Sequence, residues 1–96
     1  MALNSFSPTA YGEMVVAAYI SSSQALPGGG GPTLLVTNLG PGAAAVLLGA
    51  SNVTVTETTG TVIPRGGSVP LTVGGNGYIA ALAVGFSAKL CLAQGT

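Results

Sequence analysis

Glycine and proline interrupt this chain so often that it has no room for a long helix. Breaks fall at Gly28 to Pro32, Gly40-Pro41-Gly42, Gly60, Pro64 to Gly67, Gly74 to Gly77 and Gly95, and the segments between them run to about 5 to 8 residues, the length of strands. Within the segments β-branched residues alternate with polar ones. Val53 and Val55 separate Asn52, Thr54 and Thr56, and Val69, Leu71 and Val73 separate Ser68, Pro70 and Thr72. A period of two places one set of side chains on a buried face.

This pattern predicts strands over Glu13–Ile20, Thr33–Asn38, Ala44–Gly49, Asn52–Thr56, Ser68–Val73, Tyr78–Val84 and Ala88–Ala93, with a short one at Thr61–Ile63. Met14 to Tyr19 is also compatible with a short helix. About seven or eight short strands with Gly-rich turns give an all-β fold, a small antiparallel sandwich or jelly-roll-like barrel. Asn76-Gly77 suits a tight primed turn, which would pair the strands on either side as a hairpin. Pro70 cannot donate to a ladder, so its strand belongs at an edge or its amide position faces outward. Met1 to Tyr11 shows no sustained period and reads as an N-terminal arm or first edge segment, leaving residues 12–96 as one β domain. At 96 residues one core is possible and two are not.

Charge constrains what such a domain does. Glu13, Glu57, Arg65 and Lys89 are the only charged side chains, 4% of the chain with a formal net charge of zero, where an ordinary domain carries about 25%. A freely diffusing protein keeps a net charge because self-repulsion prevents association. This chain is therefore expected to spend its life docked. The apolar share is 48% but is rich in Ala, with five aromatic residues, so a thin core of Val, Leu and Ile would gain from burial against a partner.

Several function classes are excluded by residue type. Two basic residues cannot neutralise enough phosphates for useful nucleic-acid affinity. With no His and no Asp, general acid-base catalysis lacks its usual groups, and a carboxylate pair would need Glu13 and Glu57 in one cleft. Ser and Thr have no His to activate them. One Cys without His cannot build a zinc site, and no carboxylate-rich loop offers a calcium site. The expectation is a protein that is not an enzyme and needs no metal or cofactor. Gly28 to Gly31 would cradle a phosphate only if a helix followed, and Pro32 leads into a strand. Cys91 lies between Leu90 and Leu92 and reads as a free thiol that behaves as a small buried or half-buried hydrophobe. Asn52-Val53-Thr54 matches a glycosylation sequon, but the N-terminus has neither the charge nor the apolar run of a secretory signal. The apolar stretches are broken well short of the roughly 20 residues that a membrane helix needs, so no membrane is expected as a partner.

Four residues stand out as candidates for partner contact. Leu3, Phe6 and Tyr11 are the large apolar side chains of the N-terminal segment, and Arg65 sits at a turn tip between Pro64 and Gly66-Gly67. Tyr19 and Tyr78 fit an interface or a core equally well.

From Thr37 to Gly95 the chain reads Thr-Asn-Leu-Gly-Pro-Gly, Ala-Val-Leu-Leu-Gly, Val-Ile-Pro-Arg-Gly-Gly-Ser-Val-Pro-Leu, Gly-Tyr-Ile-Ala-Ala-Leu and Ala-Lys-Leu-Cys-Leu-Ala-Gln-Gly in order. This order resembles small virion proteins of tailed bacteriophages. The resemblance implies a capsid cement or decoration subunit on the outer face of the major capsid protein lattice, commonly a homotrimer, made in the bacterial host cytoplasm and located in the virion. A lattice repeats each contact, so modest affinity per subunit is amplified. Two alternatives are a phage tail or fibre module that binds a receptor or glycan, and a small membrane-active protein.

Overall fold

The two longest strands cannot be straight. β3 (Thr33–Gly49) and β6 (Tyr78–Gly95) have 17 and 18 residues, and a straight strand of that length would reach about 60 Å, whereas the longest dimension of the molecule is 40 Å. In the computed structural model, which describes residues 8–28 and 31–95, both strands bend midway and stay paired on either side of the bend. The remaining strands are β1 (Pro8–Val16), β2 (Ser22–Ala25), β4 (Thr61–Ile63) and β5 (Ser68–Thr72), and all the strand pairings are antiparallel.

Each bent strand serves two layers. The front layer runs β1, the second half of β6, the first half of β3, then β5; the back layer runs β2, the first half of β6, the second half of β3, then β4. Counting the halves separately gives eight strand segments in two four-stranded layers, connected as a jelly roll. The sandwich expected from the sequence is the fold observed. What differs is that Gly40-Pro41-Gly42 and Gly85 bend strands that the sequence divides. The ladder shifts register between Asn38 and Gly40 and again between Pro41 and Ala43, and Gly85 carries a positive φ of 86°, a bulge that only a residue without Cβ adopts cheaply.

The core lies between the layers. Leu34, Val36, Leu90, Leu92, Met14 and Val16 from the front meet Val46, Ile79, Ala81, Ala83 and Ile63 from the back in one buried cluster. A second cluster covers the outside of the back layer, where Val55 packs with Ala45, Ala80 and Leu82, joined by Val53 and Leu47. Here the expected strand Asn52–Thr56 is corrected: these residues form no strand. Their alternation does bury one face, but as a loop laid over a sheet and not as a rung of it.

Three further expectations change. The first strand begins at Pro8 and ends at Val16, short of Ile20, because the chain then crosses between layers through Tyr19, at a φ of 60°; a short helix over Met14 to Tyr19 is not formed. β2 has no counterpart in the sequence reading. Asn76-Gly77 closes no hairpin: β5 pairs with β3 in the front layer while Tyr78 onward pairs in the back layer, so the turn is a crossover. Pro70 does lie on a strand whose one ladder partner among the described residues is β3, at the edge of its layer.

Candidate functional surface

Strand parity decides which side chains the front layer shows to the outside. In β1, Met14 and Val16 point into the core, so Tyr11, Glu13 and Val15 point out; the register then sets Tyr11 beside Ala93 and Glu13 beside Cys91. On the other flank of β6, Ala93 faces Leu35 and Cys91 faces Thr37, and these meet Pro70 and Ser68 of β5. Two rows result across the sheet: an apolar row of Tyr11, Ala93, Leu35 and Pro70, and a polar row of Glu13, Cys91, Thr37 and Ser68. Thr37 and Ser68 hydroxyls are 3.0 Å apart, which confirms that both point to this face.

Nothing among the described residues covers this face, in contrast to the loop over the back layer. Tyr11 and Val15 are each 72% exposed. Half of the chain's charge is also here: Lys89 Nζ lies 3.6 Å from Glu13 Oε2, both well exposed. Such a surface pair contributes about 0 to 1 kcal/mol to a fold. A shallow groove of about 360 Å³ runs along β1, lined by Tyr11, Gly12, Glu13, Cys91 and Leu92. A second depression, about 260 Å³, opens beside Val46, Leu48, Leu71 and Asn76.

Of the four residues singled out in the sequence, Tyr11 and Arg65 are described, and they stand on different elements. Leu3 and Phe6 lie outside the described residues. Tyr11 is on the front face, and Arg65 is exposed on the turn between β4 and β5, where its aliphatic stem lies against Gly40 at the bend of β3. Arg65 thus covers the bend with its carbons and keeps its charge in water. The sequence reading missed Glu13, Val15, Leu35 and Lys89 as surface partners of Tyr11. The alternation of residues 11 to 16 separates two faces, but only the fold tells which layer goes uncovered.

The two carboxylates stand on opposite sides of the sandwich. Glu13 is on the front face, and Glu57 is exposed on the loop that covers the back layer, so they share no cleft. Among the described residues no group of three or more His, Cys, Asp or Glu side chains comes together to hold a metal. Gly28 to Gly31 leads into β3, not into a helix; Gln94 ties its two ends, accepting from Gly28 N at 3.0 Å and donating to Gly31 O at 2.9 Å. No helix of the described residues is long and apolar enough to cross a membrane.

No family model and no curated protein matches the chain. Among solved structures it is similar to a protein of Bacillus endospore appendages, described as a novel family of disulfide-linked pili, at 14% identity and a TM-score of 0.45, with 99% of this chain and 94% of that chain covered.

Proposed function

We propose that the chain is a structural subunit that works by assembly, with copies of itself and with a lattice of other subunits. The observation that supports this reading is the uncovered front face, on which Tyr11 and Val15 stand exposed in a chain of zero net charge. Apolar side chains grouped on one face mark interaction surfaces, and a chain without net charge lacks the self-repulsion that keeps copies apart.

On the finer reading the lattice is a viral capsid and the chain is a cement or decoration subunit, a homotrimer on the outer face of the major capsid protein. The support is the phage-like order of strands and turns from Thr37 to Gly95. On this reading Leu3, Phe6 and Tyr11 of the N-terminal segment and Arg65 contact the neighbouring capsid subunits. The test is cosedimentation with empty capsid shells of the major capsid protein alone. Binding that saturates at a fixed ratio to the lattice is expected, weakened by deleting Met1 to Ser7 while the β-sheet circular dichroism is retained. Self-association without shell binding would remove the capsid and keep the structural role.

A glycan-binding module is the second reading, favoured by the groove that sets the exposed Tyr11 ring beside the Glu13 carboxylate. Sugar sites combine an aromatic face with hydrogen-bonding side chains. Retention of a glycan by a protein that stays monomeric, lost on Tyr11→Ala, would favour it over assembly.

A further inference from the structure

We infer that the outer face of the front layer is an isologous contact between two copies of this chain, in which Glu13 of each copy meets Lys89 of the other. The inference rests on the general assembly reading and not on its homotrimer, since an isologous contact belongs to a two-fold axis. Two observations select a second copy as the occupant. The face carries one carboxylate and one ammonium, 3.6 Å apart, and no further charged side chain of the chain belongs to it, since Glu57 and Arg65 lie on the back loop and over the bend. A two-fold axis passing near this pair turns it into its own complement, so docking leaves neither charge unpaired. A strongly acidic or basic partner would find no complementary field there.

Beside the charged pair lies the apolar row of Tyr11, Ala93, Leu35 and Pro70, and an aromatic anchor next to small side chains is the make-up of an interface centre. The back layer lacks this option because Val53 and Val55 already cover it. Size sets the expected strength. Four strands about 4.8 Å apart and roughly seven residues long present on the order of 450 Å² in projection, below the roughly 800 Å² per partner of a standard stable complex. The pairing is therefore weak and concentration-dependent in isolation, and suited to a repeating assembly where each copy is held at several contacts.

The test uses two single charge reversals of the full chain, Glu13→Lys and Lys89→Glu. Each alone places like charges opposite each other across the two-fold and is expected to lower self-association at least about tenfold, with the sheet spectrum unchanged. An equimolar mixture of the two variants presents an all-positive pair to an all-negative pair and is expected to form a heterodimer, tighter than the wild-type homodimer and weakened by salt. Loss of the intramolecular pair cannot produce recovery on mixing, so this readout separates an intermolecular contact from a destabilised fold. Cys91, in the polar row, supplies a second readout: its labelling by a maleimide slows as wild-type protein is concentrated. Variants that associate as wild type does, a mixture that stays apart, or a wild-type trimer with Cys91 fully reactive would each overturn the two-fold contact while leaving assembly standing. A wild type monomeric at all concentrations would overturn both.

Discussion

Asn38 holds the bend of β3 with both of its amide protons and its side-chain oxygen. It is fully buried; its Nδ2 donates to Gly42 O and to Ile63 O, each at 2.9 Å, and its Oδ1 accepts from Gly40 N at 2.7 Å. Its backbone joins the turn between β4 and β5, taking a bond from Gly66 N at 2.7 Å and giving one to Gly67 O at 2.9 Å. An apolar residue of the same size would leave buried donors and acceptors orphaned, at about 1 to 3 kcal/mol each. Asn38→Leu is therefore expected to cost about 3 kcal/mol or more, read as a lower midpoint in urea unfolding; an unchanged midpoint would mean that the bend does not depend on this side chain. Gly42 is constrained differently. A Cβ there would run into the carbonyl oxygen of Phe86 on the facing bend, a backbone atom that cannot move away alone. Gly42→Ala is expected to destabilise by about 2 kcal/mol or more, with Gly75→Ala, where a Cβ meets nothing within 4 Å, as the mild comparison. In the sequence Asn38 reads as a strand end and Gly40-Pro41-Gly42 as a break. Both readings follow from local chemistry, and they divide the strand because its continuation depends on β6, some fifty residues away in the chain.

Elements were legible where local alternation and the ladder agree. β5 shows period two and pairs as a strand, and its position at an edge fits Pro70. Asn52 to Thr56 has the same alternation and is a loop, since period two reports a buried face and not the hydrogen bonds that would make it a rung. β2 was missed because Ser22–Ala25 has no apolar alternation; it is held by β6, through pairing from Ser22↔Ala81 to Ala25↔Tyr78. The covering loop yields a prediction of its own. Val55 is 2% exposed against Ala45, Ala80 and Leu82, and removing two of its carbons is expected to cost about 2 kcal/mol. Val55→Ala should also increase binding of an apolar dye to the native protein, by loosening the cover of the back layer. Unchanged stability and dye binding would show that the loop is not a structural lid. Val15→Ser, on the front face, is expected to leave monomer stability within about 0.5 kcal/mol and to weaken self-association instead.

At the scale of the whole molecule, the jelly roll leaves its two outer faces unequal. The chain's own loop closes the back face, while the front face shows Tyr11, Val15 and an opposite-charge pair to the solvent. That asymmetry, together with a charge inventory of two positive and two negative groups, is the physical case for a subunit made to be covered. The expectation of a partner came from the composition, because charge content requires no fold to read. The surface proposed for that contact was not legible there, because Tyr11, Leu35, Lys89 and Cys91 come from three separate stretches of chain that the β1–β6–β3 ladder sets side by side. Sedimentation equilibrium of the full chain at physiological salt, over a hundredfold range of concentration, tests this case most directly. A discrete oligomer whose population grows with concentration is predicted, and a mass fixed at the 9.2 kDa monomer throughout the range would contradict it.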